Sequence, residues 1–370
     1  MRAIGMILAG GNGSRMRELQ NRRTVAAMPI AGSYRAIDFA LSNMSNSNIQ
    51  KVGVITQYNA RSLNNHLSSS KWWDLGRKRG GLYLLPPAVT GESWWYKGTA
   101  DALYQNLSFL RNSREQYVVI VSGDGVYKLD YNDVVDFHVL KGADITVVCT
   151  EYTGDDITRF GILNLDEDAR IVGFEEKPLV TKSNIISTGI YILRRRLLIQ
   201  LLEQCRAEDR TDFVRDVLIR YKDVKKIYGY KMNRYWSNMA SVESYYRTNM
   251  DFLKPEVRDY FFRQYPAIYS KKDDNPPAKF SPDARVSNSL ISSGCIISGT
   301  VEDSVIFKKV FVGKNCIIKN SIILNDVYIG DNAIIENCIV ESRSMLQPGS
   351  CHKGENGVEI VIEKNKMRVT

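Results

Sequence analysis

The C-terminal part of the chain carries a six-residue repeat, and this repeat constrains the fold more than any other feature. Aliphatic pairs recur about every six residues at Leu290-Ile291, Ile296-Ile297, Val305-Ile306, Ile317-Ile318, Ile322-Ile323, Ile334-Ile335 and Ile339-Val340. Small or turn-forming residues separate the pairs, namely Gly294, Gly299, Gly313, Asn315, Asn320, Gly330 and Asn332. An amphipathic helix would repeat every 3.6 residues and an ordinary strand every second residue. A period of six is typical of a left-handed parallel β-helix, which we predict for residues 284–370, with a plain β-meander as the alternative.

The preceding part of the chain alternates strand and helix patterns. Short β-branched runs at Ile4–Leu8, Lys51–Thr56, Tyr117–Val121 and Asp144–Val148 predict strands, and Ala100–Leu110 has apolar residues at helical spacing. This alternation predicts an α/β domain over residues 1–264, with a mostly parallel sheet and helices on both faces. Ligands of such sheets bind at the carboxyl ends of the strands, so the loops after the first and fourth strands are candidate sites.

Residues 265–283 separate these two regions. Within them, Lys271–Asn275 is charged and polar, and two prolines, Pro276 and Pro277, follow directly. Charge followed by proline is typical of a linker. The sequence therefore predicts two domains joined by this segment.

Cysteine and charge patterns narrow the functional classes. The six cysteines contain no C-x-x-C pair, and the three histidines are far apart, which argues against a zinc site or a disulfide framework. Reduced thiols favour a cytoplasmic protein. The net charge of +9 suits polyanionic small molecules as well as nucleic acid. No tract interleaves arginine with aromatic residues, and no apolar run reaches membrane-spanning length, so neither nucleic acid nor a membrane is expected as a partner.

A glycine-rich loop follows the first predicted strand. Its residues run from Leu8 to Met16 and read L-A-G-G-N-G-S-R-M. Glycines allow a tight turn that brings backbone N–H groups against phosphate, and Arg15 could pair with phosphate oxygens. Taken alone, the loop could also be a bare strand-to-helix turn.

Three further segments, together with this loop, carry a resemblance. They are Pro29–Asn43, the W-Y-K-G-T-A-D-A segment Trp95–Ala102, and the F-E-E-K-P segment Phe174–Pro178. The combination resembles bacterial glucose-1-phosphate adenylyltransferase, also called ADP-glucose pyrophosphorylase, over nearly the whole chain. The resemblance implies a nucleotidyltransferase domain of dinucleotide-binding type, a role in glycogen synthesis, a tetrameric assembly and Mg²⁺ as cofactor.

The resemblance also implies roles for individual residues. Substrate-binding positions match at Gly10, Gly11, Gly13, Tyr96, Gly98, Asp101, Gly161, Lys177 and Ser187. Arg15 and Asp124 match retained catalytic positions, and Asp124 is the matching Mg²⁺ ligand. Lys177 corresponds to the lysine that grips the phosphate of glucose 1-phosphate, although on its own it could be a solvated surface lysine.

The chain departs from the family pattern where phosphate and metal chemistry is expected. Val25 stands where the family has a phosphate lysine, and Asn238 replaces the second metal carboxylate of the Y-W-x-D-[VI]-G-T segment. Val214 and Ala240 stand in place of glycines, and Gly125 follows Asp124 where a histidine is usual. An amide oxygen can ligate Mg²⁺ but brings no charge. Loss of the metal carboxylate, the phosphate lysine and a glycine would all weaken the transition state of the nucleotidyl transfer that the resemblance implies.

These departures favour one of three functions. The first is a non-catalytic or weakly catalytic regulatory subunit, resembling the D-type subunit, that assembles with an active paralogue. The second is an active glucose-1-phosphate adenylyltransferase, and the third is a stand-alone sugar-phosphate sensor. In each case the expected ligands are phosphorylated small molecules such as glucose 1-phosphate, ATP or ADP-glucose.

Overall fold

The computed structural model describes residues 3–11, 13–76, 80–88, 95–154, 157–181 and 183–363. The chain forms two compact units, and each is made of two separate segments. The first unit comprises Met1–Asn12 and Phe39–Trp236, and the second comprises Gly13–Asp38 and Ser237–Thr370. No helix in the described part of the chain is long and apolar enough to cross a membrane.

The strands and helices that precede the β-helix alternate as expected. The strands are β1 (Ala3–Leu8), β2 (Pro29–Ile30), β3 (Tyr34–Arg35), β4 (Lys51–Ile55), β5 (Gly81–Leu85), β6 (Tyr117–Ser122), β7 (Gly125–Tyr127), β8 (Ile145–Glu151), β9 (Gly161–Leu165), β10 (Ile171–Glu176), β11 (Ile185–Arg194), β12 (Ile227–Lys231) and β13 (Trp236–Asn238). The α-helices are α1 (Ala36–Asn46), α2 (Arg61–His66), α3 (Thr99–Gln105), α4 (Leu107–Arg111), α5 (Tyr131–Leu140), α6 (Arg195–Ala207), α7 (Val242–Asp251) and α8 (Pro255–Phe262).

A nine-stranded sheet is the centre of the first unit. Along its main path the order is β10-β9-β11-β6-β1-β4-β5, and β8 pairs with β11 and β12. Strands β6, β1, β4 and β5 are mutually parallel, as the alternation predicts. Strand β11 runs antiparallel to both β6 and β8, which the sequence did not predict. The buried runs of β1, β4, β6 and β8 explain their lack of polar alternation, because both faces of the sheet are covered.

The helix predicted over Ala100–Leu110 is interrupted. Helix α3 ends before Asn106 and α4 begins after it. The Asn106 side chain donates to the carbonyl of Ala102 at 2.8 Å and to the hydroxyl of Tyr96 at 2.9 Å. An asparagine that bonds to nearby backbone competes with the helical pattern, which accounts for the break.

The second unit contains the predicted parallel β-helix. Its strands are β14 (Lys279–Phe280), β15 (Arg285–Ser287), β16 (Leu290–Ile291), β17 (Ile296–Ile297), β18 (Thr300–Glu302), β19 (Val305–Ile306), β20 (Phe311–Val312), β21 (Ile317–Lys319), β22 (Ile322–Ile323), β23 (Tyr328–Ile329), β24 (Ile334–Glu336), β25 (Cys338–Val340), β26 (Met345–Leu346), β27 (Cys351–Lys353) and β28 (Glu359–Val361). They form three five-stranded parallel sheets, the three faces of a left-handed coil. The prediction of an α/β domain followed by a β-helix is confirmed.

Stacked aliphatic side chains fill the interior of the coil. Ile297, Val312 and Ile329 occupy matching positions in successive coils and are fully buried. Asparagines take the left-handed backbone conformation at the corners: Asn315 and Asn332 have φ of 55° and 60°, and their side chains bond to each other at 3.2 Å. Asparagine tolerates this conformation better than most residues, which explains the turn residues between the aliphatic pairs.

The segment Gly13–Asp38 packs with the coil-containing unit, although it comes early in the chain. Strands β2 and β3 form its short antiparallel hairpin, and Tyr34 stacks on Phe262 of α8 with ring centroids 4.7 Å apart. The first described coil strand, β14, begins at Lys279, within the predicted linker. The domain boundaries at 264 and 284 stay a prediction, because compactness alone does not decide which segments fold independently.

Candidate functional site

The glycine-rich loop begins where β1 ends. A Cβ on Gly10 would lie 3.1 Å from Cβ and 3.2 Å from the backbone nitrogen of Gln57, so the loop passes close to the chain that follows β4. Gly11 is exposed, and nothing lies within 4 Å of the place where its Cβ would be. Packing therefore explains the glycine at position 10, whereas the open space at Gly11 leaves its backbone accessible to a ligand.

The rest of this loop belongs to the second unit. The carbonyl of Gly13 accepts a hydrogen bond from the backbone of Met16 at 2.7 Å, and Arg15 is exposed in the 3₁₀ helix Ser14–Gln20. Val25 is buried, and its Cγ2 lies 2.6 Å from where a Cβ on Gly13 would be. Only glycine permits this close approach. Val25, which the resemblance matches to a phosphate lysine, thus contacts the glycine-rich loop directly.

Three predicted residues around the start of α3 have clear structural roles. A Cβ on Gly98 would lie 2.4 Å from the carbonyl oxygen of Thr211, so a larger residue would displace this backbone. One carboxylate oxygen of Asp101 accepts from the Lys97 backbone at 2.8 Å and from the Gln105 side chain at 2.9 Å. The Tyr96 hydroxyl donates to the carbonyl of Leu85 at 3.1 Å, and burial raises the pKa of Tyr96. All three maintain the shape of this segment.

Asp124 follows β6 in the middle of the sheet. The backbone N–H of Gly123 bonds to the carbonyl of Leu8 at 2.9 Å, which holds this turn beside the end of β1. The Ser122 hydroxyl donates to Asp124 Oδ1 at 2.5 Å. Burial raises the pKa of the Asp124 carboxyl, and the bond from Ser122 opposes that change. Asp124 is half-buried, and a carboxylate whose pKa is raised is a group that a cation would stabilise.

Gly125, where the family usually has histidine, is buried beside Asp124. A Cβ there would lie 2.8 Å from Cε1 of Tyr127. The Tyr127 hydroxyl is itself bonded to that of Tyr131 at 2.8 Å, and both groups are buried. The position of the Tyr127 ring therefore excludes a larger residue at 125 unless the ring moves.

Neighbouring strands bring together the residues predicted to hold the sugar phosphate. Gly161 is the register partner of Glu176 between β9 and β10, and Lys177 follows Glu176 directly. Ser187 is buried in β11 next to Ile186, which pairs with Ile162 of β9. These three predicted residues, Gly161, Lys177 and Ser187, thus share one region of the sheet.

Lys177 has an unusual backbone and a paired charge. Its φ is 51°, in the left-handed region, and its N–H bonds to the carbonyl of Phe160 at 3.1 Å. Its ammonium group lies 2.7 Å from Glu176 Oε1, and its side chain is about half exposed. Strained backbone at a non-glycine residue is common where a side chain must be aimed at a ligand.

Two residues in contact with predicted site residues were not singled out from the sequence. Glu176 lies within the quoted F-E-E-K-P segment, which could have indicated it. Gln57 accepts a hydrogen bond from the Tyr96 backbone at 2.7 Å through Oε1, and no local pattern marks it. Both residues hold predicted site residues in place.

Of the two residues that the resemblance matches to Mg²⁺ ligands, Asp124 alone carries a carboxylate. Asn238, the last residue of β13, is half-buried and supplies a neutral amide where the family has a carboxylate. Among the described residues, no group of three or more His, Cys, Asp or Glu side chains is placed to hold a metal ion. Mg²⁺ favours hard, anionic oxygen ligands, so a neutral amide at position 238 would be a weaker ligand than a carboxylate.

Comparison with known proteins identifies the family. Residues 4–255 match the family model "Nucleotidyl transferase", and residues 276–359 match "GlmU-like, C-terminal hexapeptide". The chain is 40% identical over 297 residues to a glucose-1-phosphate adenylyltransferase of Pseudothermotoga lettingae, covering 80% of this chain and 71% of the relative. It is 42% identical over 300 residues to that of Bacillus cytotoxicus (79% of each chain) and 43% identical over 297 residues to that of Clostridium acetobutylicum (79% of this chain and 78% of the relative). With its two matched regions in this order and relatives of this similarity, the chain belongs to the glucose-1-phosphate adenylyltransferase family of nucleotidyltransferases.

Proposed function

We propose that this chain is a weakly catalytic or non-catalytic regulatory subunit of ADP-glucose pyrophosphorylase in glycogen synthesis. It assembles, in this proposal, with an active paralogue that makes ADP-glucose and pyrophosphate from ATP and glucose 1-phosphate. The observation that carries the proposal is the pair Val25 and Asn238, which replace a phosphate lysine and a metal carboxylate. Loss of one preorganised charge typically costs ~10²–10³ in rate.

Local surroundings support the proposal at both positions. Val25 is buried against Gly13, so an apolar side chain occupies the place from which a lysine would reach the phosphate loop. At the other position, the half-buried Asn238 contributes an oxygen ligand without charge. The residues matched to the sugar-phosphate half are retained: Gly161 and Ser187 lie in β9 and β11, and Lys177 directly follows β10.

An active glucose-1-phosphate adenylyltransferase is the second candidate. The names of the similar proteins favour it over a regulatory subunit, because all those described above are called glucose-1-phosphate adenylyltransferase. Retention of Asp124, Arg15 and Lys177 also favours it. A stand-alone sugar-phosphate sensor is a third function that the retained residues allow.

The open end of the coil supports assembly with a partner. Phe280 and Val286 of the first coil are 49% and 39% exposed, although their register partners Ile297 and Val301 are fully buried. Apolar residues of a coil end favour contact with another surface over contact with water. We propose a hetero-oligomer, most simply a tetramer, in the cytoplasm, where the six free thiols remain reduced.

One activity assay separates the first two functions. The purified chain, a catalytic paralogue and the co-purified pair are each assayed for ADP-glucose formation from ATP and glucose 1-phosphate with Mg²⁺. A regulatory subunit gives background activity alone and changes the turnover or effector response of the paralogue. Full activity of the chain alone would establish the enzyme instead.

Ligand binding tests the retained half of the pocket. Calorimetry with glucose 1-phosphate should show binding that Lys177→Ala weakens. Lys231→Ala is the matched control, because Lys231 is also a half-exposed lysine paired with a glutamate, Glu151, at a strand end of the same unit. Equal binding by both variants would remove Lys177 from the site, and absence of binding at millimolar ligand would mean that the pocket is vestigial.

A further inference from the structure

A buried ion pair connects the early segment of the second unit to its coil. Arg23 Nη2 lies 2.5 Å from Oε1 of Glu341, and the two side chains are 9% and 2% exposed. Arg23 also donates to the hydroxyl of Ser342 at 3.3 Å, and the Ser342 backbone donates to Glu341 Oε1 at 2.6 Å. The second carboxylate oxygen of Glu341 is buried without a hydrogen-bond partner in the part of the chain that the structure describes.

An ion pair in this environment is a costly way to gain stability. Removing two charges from water offsets most of their attraction, and a well-packed apolar pair often stabilises a fold as well. The unmatched oxygen of Glu341 adds a further cost. Stability alone is therefore a weak reason for this buried pair. Arg23 lies close in sequence to the glycine-rich loop, which indicates a role in positioning that loop.

The segment that begins at Arg23 is held at several further points by the same unit. The Tyr245 hydroxyl donates to the carbonyl of Pro29 at 2.7 Å, and the Ala31 backbone donates to the Asn249 side chain at 3.1 Å. The Ser292 hydroxyl, from the coil, donates to the carbonyl of Gly32 at 2.8 Å. Residues 23–32 are thus held at both ends. The coil contacts Arg23 at one end, and α7 and the coil contact Pro29, Ala31 and Gly32 at the other.

Val25 lies between these anchors and carries their effect to the phosphate loop. It is two residues from Arg23, and its Cγ2 contacts Gly13 so closely that any side chain there would collide with it. The contact gives a direct physical route from Arg23 through Val25 to Gly13, two residues before Arg15.

We propose that Glu341 is a positioning residue for the phosphate loop, acting through Arg23 and Val25 from a site in the coil. The pair sets the conformation of residues 13–28 and leaves the sugar-phosphate residues of the first unit unaffected. This inference goes beyond the proposed function and is independent of whether the chain is catalytic.

The test compares Glu341→Gln with Glu302→Gln. Both variants remove one charge of a coil ion pair, but Glu302 pairs with Lys319 at 2.9 Å on the exposed surface. Hydrogen exchange, which needs neither ligand nor activity, should rise in peptides covering residues 13–28 for Glu341→Gln alone. Binding of ADP-glucose should weaken about 2- to 30-fold, the usual range for residues that couple two sites. Binding of glucose 1-phosphate alone should not change.

A conservative variant shows whether the charge of Glu341 or only its volume holds residues 13–28 in place. Glutamine matches the volume of Glu341 better than aspartate does, whereas aspartate keeps the charge. The proposal therefore expects Glu341→Asp to remain closer to the wild type than Glu341→Gln in both measurements, and Glu341→Asp decides the matter if Glu341→Gln does not fold. Faster exchange throughout the coil, equal loss of both ligands, or an equal effect of Glu302→Gln would overturn it.

Discussion

Restoring two charges tests whether lost charge explains the proposed weak activity. The perturbation is Val25→Lys combined with Asn238→Asp. Val25 is 7% exposed, and its side chain contacts Gly13, so a lysine at this position extends toward the phosphate loop. Asn238 is half-buried, and aspartate has the same shape as asparagine, so this second change adds charge without repacking.

The structure sets the expected magnitudes. Lysine adds two heavy atoms to a buried site, and overpacking of this kind costs about 1–3 kcal/mol of the free energy of unfolding. Each restored charge acts mainly in the transition state and is worth ~10²–10³ in rate. Because both charges serve one phosphate-transfer step, we expect the double variant to exceed the product of the single variants. Val214 and Ala240, in place of family glycines, limit full recovery.

The assay measures pyrophosphate release from ATP and glucose 1-phosphate in the presence of Mg²⁺. Val25→Met combined with Asn238→Asp is the matched control, because methionine adds comparable length without charge. We expect the lysine double variant to exceed this control by at least about tenfold. Background activity in a double variant that is folded and still binds ADP-glucose would refute the reasoning, and the shape of the pocket would then be the defect.

Three further predictions concern stability, thiols and the linker. Burial lowers the pKa of His138 to about 4, whereas an unfolded histidine titrates near 6.5, so the unfolded state binds more protons between these values. Stability should therefore fall as the pH drops from about 6.5 toward 4, by about 2 kcal/mol at pH 5. The shift in thermal midpoint between pH 7.5 and 5 should shrink in His138→Gln, and an equal shift in both proteins would contradict this. Of the six cysteines only Cys351 is exposed. A thiol reagent should therefore modify one thiol per chain in the native protein and none in Cys351→Ser. Rapid reaction of a second thiol would contradict the burial of the other five. Limited proteolysis should cut first within residues 265–283, and equal protection there would count against an exposed linker.

The β-helix is the part of the fold that the sequence predicts best, for a physical reason. Each coil must place an aliphatic residue inward at every face, so the packing repeats in the sequence and can be counted directly. The direction of a strand within a sheet produces no comparable repeat in the sequence. The apolar run of β11, Ile185–Arg194, is compatible with either direction, and its antiparallel pairing with β6 and β8 depends on contacts made far along the chain.

The substrate and metal roles of the candidate site residues stay predictions, whereas the structure gives several of these residues a structural role. The resemblance indicates Gly98 and Asp101, and the structure gives both a clear role in holding the turn before α3. Glu341 could not be predicted, since it is 318 residues from its partner Arg23 and lies in an ordinary coil repeat. The regulatory role stays a prediction, and the names of the similar proteins favour the active enzyme.

The shared packing of residues 13–38 with the C-terminal segment has a consequence for recombination. A fragment ending at residue 264 would retain Arg23 and Gly32 but lose Glu341 and Ser292, their partners in the coil. Exchanging residues 265–370 with those of a similar protein would leave one parent's early segment to pack on the other parent's coil. Functional chimeras should therefore arise when residues 13–38 are exchanged together with the coil. Such an exchange needs three crossovers, two around the early segment and one before the coil, rather than one.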